Sequence, residues 1–332
     1  MSVALRFVGA LAILGGLAGF AMWVGGGEGG TPVAASNARV FQSSTECKDC
    51  HQDVWDEWHG SHHQIAFLNP EVRALSDDFR NKDCQACHLP RPVAVTGFGQ
   101  RVLPRQTHPD EGVSCLSCHQ DKDGSIMGTR DLPAAPCRPK AHREFPTVEL
   151  CASCHNQHQT TDQWRASHYA AQGVGCNDCH MEHVDRKAAD GTVRKGRHHG
   201  YPGAHDATML RKAGTFEASV EGRDVVLTLT NSGAGHNFPT EERHRAVDIV
   251  VRFVRADGST TEWERLYRFR QPYRDEPGED TQLRAGKSHT VRALAPEGTV
   301  AAEARLWYRL TPFVGDDDPK STLLEERRLE LP

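Results

Sequence analysis

The sequence predicts an α+β chain in two parts. The first is a region of short helices and little regular structure, held together by what it binds rather than by its own side chains; the second is an all-β sandwich-like domain. Three observations predict this. All eleven cysteines and all but three of the 19 histidines lie between Cys47 and His205. The apolar fraction is only 38%, low for a chain with an ordinary core throughout. After His205 the cysteines stop and apolar residues begin to alternate with polar ones, the period of half-buried strands.

Ten of the eleven cysteines form five Cys-x-x-Cys pairs, each followed at once by His: Cys47/Cys50/His51, Cys84/Cys87/His88, Cys115/Cys118/His119, Cys151/Cys154/His155 and Cys176/Cys179/His180. This is the attachment signature of c-type haem. The two thiols form thioethers with the haem vinyl groups and the His ligates the iron from one side. Zinc knuckles also use Cys-x-x-Cys pairs, but neither they nor a disulfide framework would put His in the same place five times. From Cys47 to His180 there are 134 residues, roughly 27 per haem, too little chain for a conventional core. The five haems themselves are therefore expected to form it, and folding is expected to require them. The remaining Cys137 is expected to be buried and inert.

The order along the chain follows. Residues 7–24 are uncharged and mostly apolar, with Arg6 before them and a Gly-rich stretch after. Residues 1–36 are thus read either as a cleaved signal peptide or as a membrane anchor with a Gly-rich linker. Either exports the chain to the periplasm, free or anchored to the membrane, or beyond it. The haem region is expected over 40–213. The β-domain is expected over 214–332, with strands at 216–222, 224–231, 288–294, 302–310 and 322–331. Two more are expected within 246–269, joined at Asp257-Gly258, a strong hairpin signal. The formal net charge is −5 and the 39 Lys and Arg are dispersed, so no basic patch marks a nucleic-acid partner.

Each haem has a second axial position. Fourteen histidines lie outside the motifs, against three methionines (Met127, Met181, Met209) outside the export segment, so bis-His ligation is the default. His108 and His142, seven and nine residues before the third and fourth motifs, are candidates by position, with His168 and His205 in reserve. The first motif runs on through Trp55, Trp58, His62 and His63, and the fourth echoes it: a spacer, Trp-x-x-Ser, then His168-Tyr169. The echo marks a repeated haem-packing unit.

The stretch Trp58-x-x-Ser61-x-His63 resembles the cytochrome c554-type multihaem family. So do EGVSC at 111–115, VGCNDCHM at 174–181 and HHGYPGAHD at 198–206. NSGAGHNFPT at 231–240 and LWYRLTP at 306–312 resemble related multihaem cytochromes with a C-terminal β-domain. The resemblance implies that His63, His199 and His236 are distal iron ligands, and that His236 clamps the β-domain onto the haem region.

Two functions compete at this stage. In the first, the chain is an electron carrier passing electrons through closely spaced haems to other redox proteins, further cytochromes among them, with self-assembly through strand edges as a compatible role. In the alternative, it is a reductase or oxidase of a small nitrogen or sulfur compound with one open haem, and His108 or His205 donates protons. No Cys-x-x-Cys-Lys motif is present, which weighs against a nitrite-reductase type of site. The chain is therefore read as a carrier rather than an enzyme.

Overall fold

The computed structural model describes residues 39–187, 191–240, 244–273 and 276–332. The expected export segment at 7–24 lies outside the described residues. Among those described, no helix is long and apolar enough to cross a membrane. Residues Arg39–Pro332 form one compact unit of mixed α+β structure.

Its N-terminal part is a series of helices of four to eight residues. Every attachment motif has a helix at it: Thr45–Lys48 runs into the first, and Lys82–His88, Cys115–His119, Val148–His155 and Cys176–His180 carry the others. The spacing accounts for this. Residues i, i+3 and i+4 share one helix face, so a single turn presents both thiols and the imidazole to one side. Short polar groups start these turns. Asn81 caps Lys82–His88 through the Asp83 N–H at 3.0 Å, and Ser114 and Ser117 form a reciprocal capping box on Cys115–His119. Between the fifth motif and His199 the chain forms a hairpin, His183–Lys187 with Val193–Arg197. Its strands are largely charged and exposed, so no apolar alternation announced it.

Seven strands follow: β1 Thr215–Glu221, β2 Asp224–Thr230, β3 Ala246–Arg255, β4 Glu264–Phe269, β5 Ser288–Leu294, β6 Thr299–Arg309 and β7 Ser321–Glu330. They pair antiparallel into a three-stranded sheet, β1-β2-β5, and a four-stranded sheet, β7-β6-β3-β4. Alternation decides which face is inside. Val225, Leu227 and Leu229 of β2 join Val247, Ile249, Val251 and Phe253 of β3 and Ala302, Ala304, Leu306 and Tyr308 of β6 in one apolar cluster. On the opposite face of β3, Asp248 is 1% exposed. Its carboxylate accepts hydrogen bonds from Arg268 at 2.6 and 2.7 Å and from Arg309 at 2.6 Å, so a buried charge is matched by two guanidinium groups. The turn at Asp257-Gly258 falls where expected, with Gly258 at φ +83°. Strand β4 starts only at Glu264, later than a tight hairpin would give, after an irregular stretch bridged by Val254 and Thr260.

Candidate functional site

Three pairs of histidines face each other. The ring centres of His63 and His155 are 6.1 Å apart, those of His119 and His199 6.3 Å, and those of His180 and His236 6.3 Å. Each pair joins a motif histidine to one from elsewhere in the chain. The spacing is wider than that of His62 and His205, whose ring centres are 3.8 Å apart. Two metal–imidazole bonds of about 2.0 Å, plus about 1.1 Å from each ring centre to its nitrogen, span about 6.2 Å. The ring-centre spacing of the pairs matches that sum.

The hydrogen bonds give the rings the right tautomer. The Nδ1 of His119 meets the Met127 carbonyl at 3.1 Å, that of His180 the Pro202 carbonyl at 2.7 Å, and that of His88 the Ala66 carbonyl at 3.0 Å. On the facing side, His199 Nδ1 meets the Arg197 carbonyl at 2.8 Å and His236 Nδ1 the Asn237 carbonyl at 2.9 Å. A carbonyl only accepts, so each Nδ1 carries the proton and donates, leaving the Nε2 lone pair for iron. Burial, with His119 next, pushes His199 down to about 4, and burial lowers His119 as well. Both are neutral near pH 7, the form that binds iron. The donor set fits c-type haem.

The partner histidines are held by specific contacts. The His63 carbonyl accepts from the Val113 N–H at 2.8 Å, which lays the chain before the third motif against His63. That close approach requires Gly112 (φ +45°), whose added Cβ would run into the His63 and Gln64 carbonyl oxygens. The His199 N–H donates to Glu57 at 2.9 Å, and Glu57 is paired with Arg186 of the hairpin. Burial alone would raise the Glu57 carboxyl. The hydrogen bonds from Arg186 and the His199 backbone outweigh it and hold the group low. His236 stands in a loop pinned by Asn231, which is fully buried. The Asn231 side chain donates to the carbonyls of His236 (2.8 Å) and Leu283 (2.9 Å) and accepts from the Ala234 N–H (3.1 Å). Gln163, on the helix after the fourth motif, accepts from the Asn237 N–H at 3.3 Å and ties that loop to the haem region.

The echo between the first and fourth motifs recurs in three dimensions. The Trp58 indole N–H donates to the Val113 carbonyl and that of Trp164 to the Val174 carbonyl, both at 2.9 Å. Val113 and Val174 each lie two residues before the next motif's first cysteine. The thiols pair in the same way. Cys47 is hydrogen-bonded to Cys115, and Cys151 to Cys176. That bond lowers the Cys115 thiol and the Cys176 thiol, the latter to about 7, which favours the nucleophilic thiolate. Two attachment sites are thus brought edge to edge in each unit. Ser44 reinforces the first: its hydroxyl donates to the buried Glu111 carboxylate and accepts from the Cys115 N–H. In the fourth-motif unit Tyr169 takes the place of His63, and its hydroxyl donates to the Ser232 carbonyl at 2.7 Å.

Among the second cysteines of the motifs, Cys50 alone is exposed. The helix Thr45–Lys48 stops before it, so Cys50 lies on the turn beyond the helix end, and its thiol is not enclosed with that of Cys47. Cys87 and Cys154 are half-buried and pack against a small apolar cluster of Ala86, Val93 and Val102, together with Phe98 and Leu150. Two segments distant in sequence meet here. Leu150 precedes Cys154 by one helical turn and shares its face, and residues 93–102 fold back over the helix that carries Cys87. A thiol packs there as a small apolar group. Protein side chains, these two cysteines among them, thus form a small apolar cluster between the second and fourth motifs. Cys118 and Cys179 are half-buried as well, and burial pushes the Cys118 thiol up to about 12 and raises that of Cys179. Cys84 is half-buried.

The other candidates stand elsewhere. His108 is at φ +50° with Nδ1 4.0 Å from Glu111. His142 stacks on Phe98 at 5.0 Å, and its Nδ1 accepts from the Glu144 N–H. That polarity is opposite to the one at the paired sites and would have to reverse for iron to bind Nε2. His168 packs on Tyr169 at 4.2 Å, and His205 on His62. His88 has the buried Phe79 ring 5.4 Å away. Cys137, expected to be buried, is half-buried and close enough to Cys47 to raise that thiol. The indole anchors, Glu57, Arg186 and Asn231 were not singled out from the sequence as site residues. The Trp-x-x-Ser echo was the one signal that pointed to any of them.

Residues 46–120, which include the first three motifs, match the family described as cytochrome c554 and c-prime. Among solved structures, the chain is similar to a penta-heme cytochrome c552 from Thermochromatium tepidum. The TM-score is 0.65 at 18% identity, over 87% of this chain and 99% of that one, which speaks for a shared fold. A second match, the putative ApaA protein of Bordetella pertussis, has 16% identity over 36% of this chain and 97% of that one. Its TM-score of 0.20 carries no argument. No curated protein matches the chain. Residues 46–120 are thus similar to the cytochrome c554 and c-prime family, and the chain shares its fold with a penta-heme cytochrome.

Proposed function

We propose that the chain is a pentahaem c-type cytochrome that passes electrons between redox partners outside the cytoplasm, each haem held between two histidines. The carrying observation is the set of three facing imidazole pairs at 6.1, 6.3 and 6.3 Å. On this reading His63 serves the site of His155, His199 that of His119, and His236 that of His180. The sites of His51 and His88 draw on the remaining candidates, His108 and His142 first. The haem region covers 40–213, and residues 214–332 form a sandwich-like domain that supplies His236. Residues 7–24 direct export or anchor the chain to the membrane.

Bound haem supplies the one-electron chemistry. The polypeptide does the positioning. Carbonyl acceptors fix the ring tautomers, Glu57 and Asn231 fix two of the partner loops, and the Cys47–Cys115 and Cys151–Cys176 contacts bring attachment points together, so that electrons have short steps to make. Two imidazoles per site leave no position for a substrate and favour low potentials. Redox partners then dock weakly over small surfaces.

Electron paramagnetic resonance of the oxidised holoprotein tests this. Low-spin signals alone, unchanged by nitrite or hydroxylamine, are expected. A high-spin signal near one haem in five that shifts on adding either compound overturns the carrier reading in favour of an open-site enzyme. Replacing His63, His199 or His236 by Met is expected to raise the potential of one haem in each case; an unchanged titration refutes that ligand.

A further inference from the structure

The four residues His199–Pro202 touch three sites at once. His199 faces His119. Two residues on, the Tyr201 ring lies 4.2 Å from His63 at 47° and 5.9 Å from His199, edge-on at 81°. The next residue, Pro202, offers its carbonyl to His180. Tyr201 thus stands between two imidazoles that face different motif histidines, His155 and His119. It does so from φ +50°, a conformation disfavoured for a residue with a β-carbon, so the surrounding fold determines its place.

An aromatic ring packed edge-on against one imidazole and tilted against another restricts the rotation of both, because tilted and edge-to-face contacts are the preferred ones. The plane of an axial imidazole is a property that outer contacts set and that tunes the metal. We propose that Tyr201 is a positioning residue shared by two haem sites, its ring fixing the planes of His63 and His199 relative to one another and so setting the potentials of, and the electron exchange between, the sites of His155 and His119 together. The inference rests on the reading of His63 and His199 as iron ligands.

The test uses the full-length holoprotein. Tyr201→Phe keeps the ring and is expected to leave the low-spin resonance signals and potentials at their wild-type values. Tyr201→Leu removes the ring. It is expected to shift the signals and potentials of two haems together, leave the others in place, and slow electron exchange between the two about tenfold after rapid photoreduction. If Tyr201→Leu shifts neither haem, or only one, the shared role is wrong. If Tyr201→Phe does what Tyr201→Leu does, the ring is not the active part and the inference falls. His63→Met and His199→Met separate this from the ligand reading. Should those two variants change no haem, the ligand assignment fails; should each change one haem while Tyr201→Leu changes none, only the coupling fails.

Discussion

Replacing Gly112 by Ala probes how the site of His155 is built. Gly112 holds φ +45°, ψ −119°, a conformation glycine adopts freely and alanine does not. The added Cβ would lie 2.9 Å from the Gln64 carbonyl carbon and closer still to the carbonyl oxygens of His63 and Gln64. All three are backbone atoms, so no side chain can swing aside. The strained backbone contributes about 1–3 kcal/mol and the forced displacement about 1–3 kcal/mol more. A loss near the middle of these ranges, about 4 kcal/mol, lowers the thermal midpoint of the holoprotein by about 5 °C or more. The displaced backbone carries His63, so one low-spin haem signal is expected to change with it. Differential scanning calorimetry and resonance spectra of the same sample read both effects. A midpoint within about 1 °C of wild type, with every haem signal unchanged, refutes the claim that Gly112 sets the position of His63.

Other outcomes follow from the same geometry. Trp58→Phe and Trp164→Phe each strand a carbonyl and are expected to cost about 1–2 kcal/mol by denaturant titration; equal stability to wild type would show that the indole anchors are incidental. Asn231→Ala removes three side-chain hydrogen bonds that pin the His236 loop. It is expected to cost about 2 kcal/mol or more and to perturb one haem, whereas a destabilised protein with all haems unperturbed would detach that loop from ligation. Burial, then His62, lowers His205 to about 4 from 6.5. Between those values the unfolded chain binds the extra proton and the folded chain does not. Stability is thus fully present above pH 6.5 and is lost as pH falls towards 4. His205→Gln is expected to flatten the thermal midpoint against pH in that window, and an unchanged slope would show that His205 does not carry it.

How much was legible in the sequence depended on how local the chemistry is. Cys-x-x-Cys-His fits in one helical turn, so the attachment residues and their helices could be read directly. The surroundings of each thiol could not. Cys50 is exposed because its helix ends early, and Cys87 and Cys154 meet a shared apolar cluster only because distant segments fold together. The β-strands were legible because Val225, Leu227 and Leu229, or Val247, Ile249 and Val251, print their burial as a two-residue period. The partnership of His63 with His155, or of His180 with His236, is not local. It depends on which loops the folded chain lays together, and only a family resemblance pointed to those residues. The hairpin at 183–197 escaped because its strands have no apolar face. Tyr201 escaped because its role lies in contacts with two rings from distant segments. The Trp echo is visible in the sequence as haem packing; in the structure its indoles also anchor the chain just before the third and fifth attachment motifs.

The central claim is five covalent haems on five motifs. The intact mass of the denatured, exported protein tests it most directly. The account predicts one species, the polypeptide plus five haems, and replacing both cysteines of any one motif should remove one haem from that mass. A wild-type mass with four haems or fewer, or five motif cysteine pairs found as free thiols or disulfides, would contradict it.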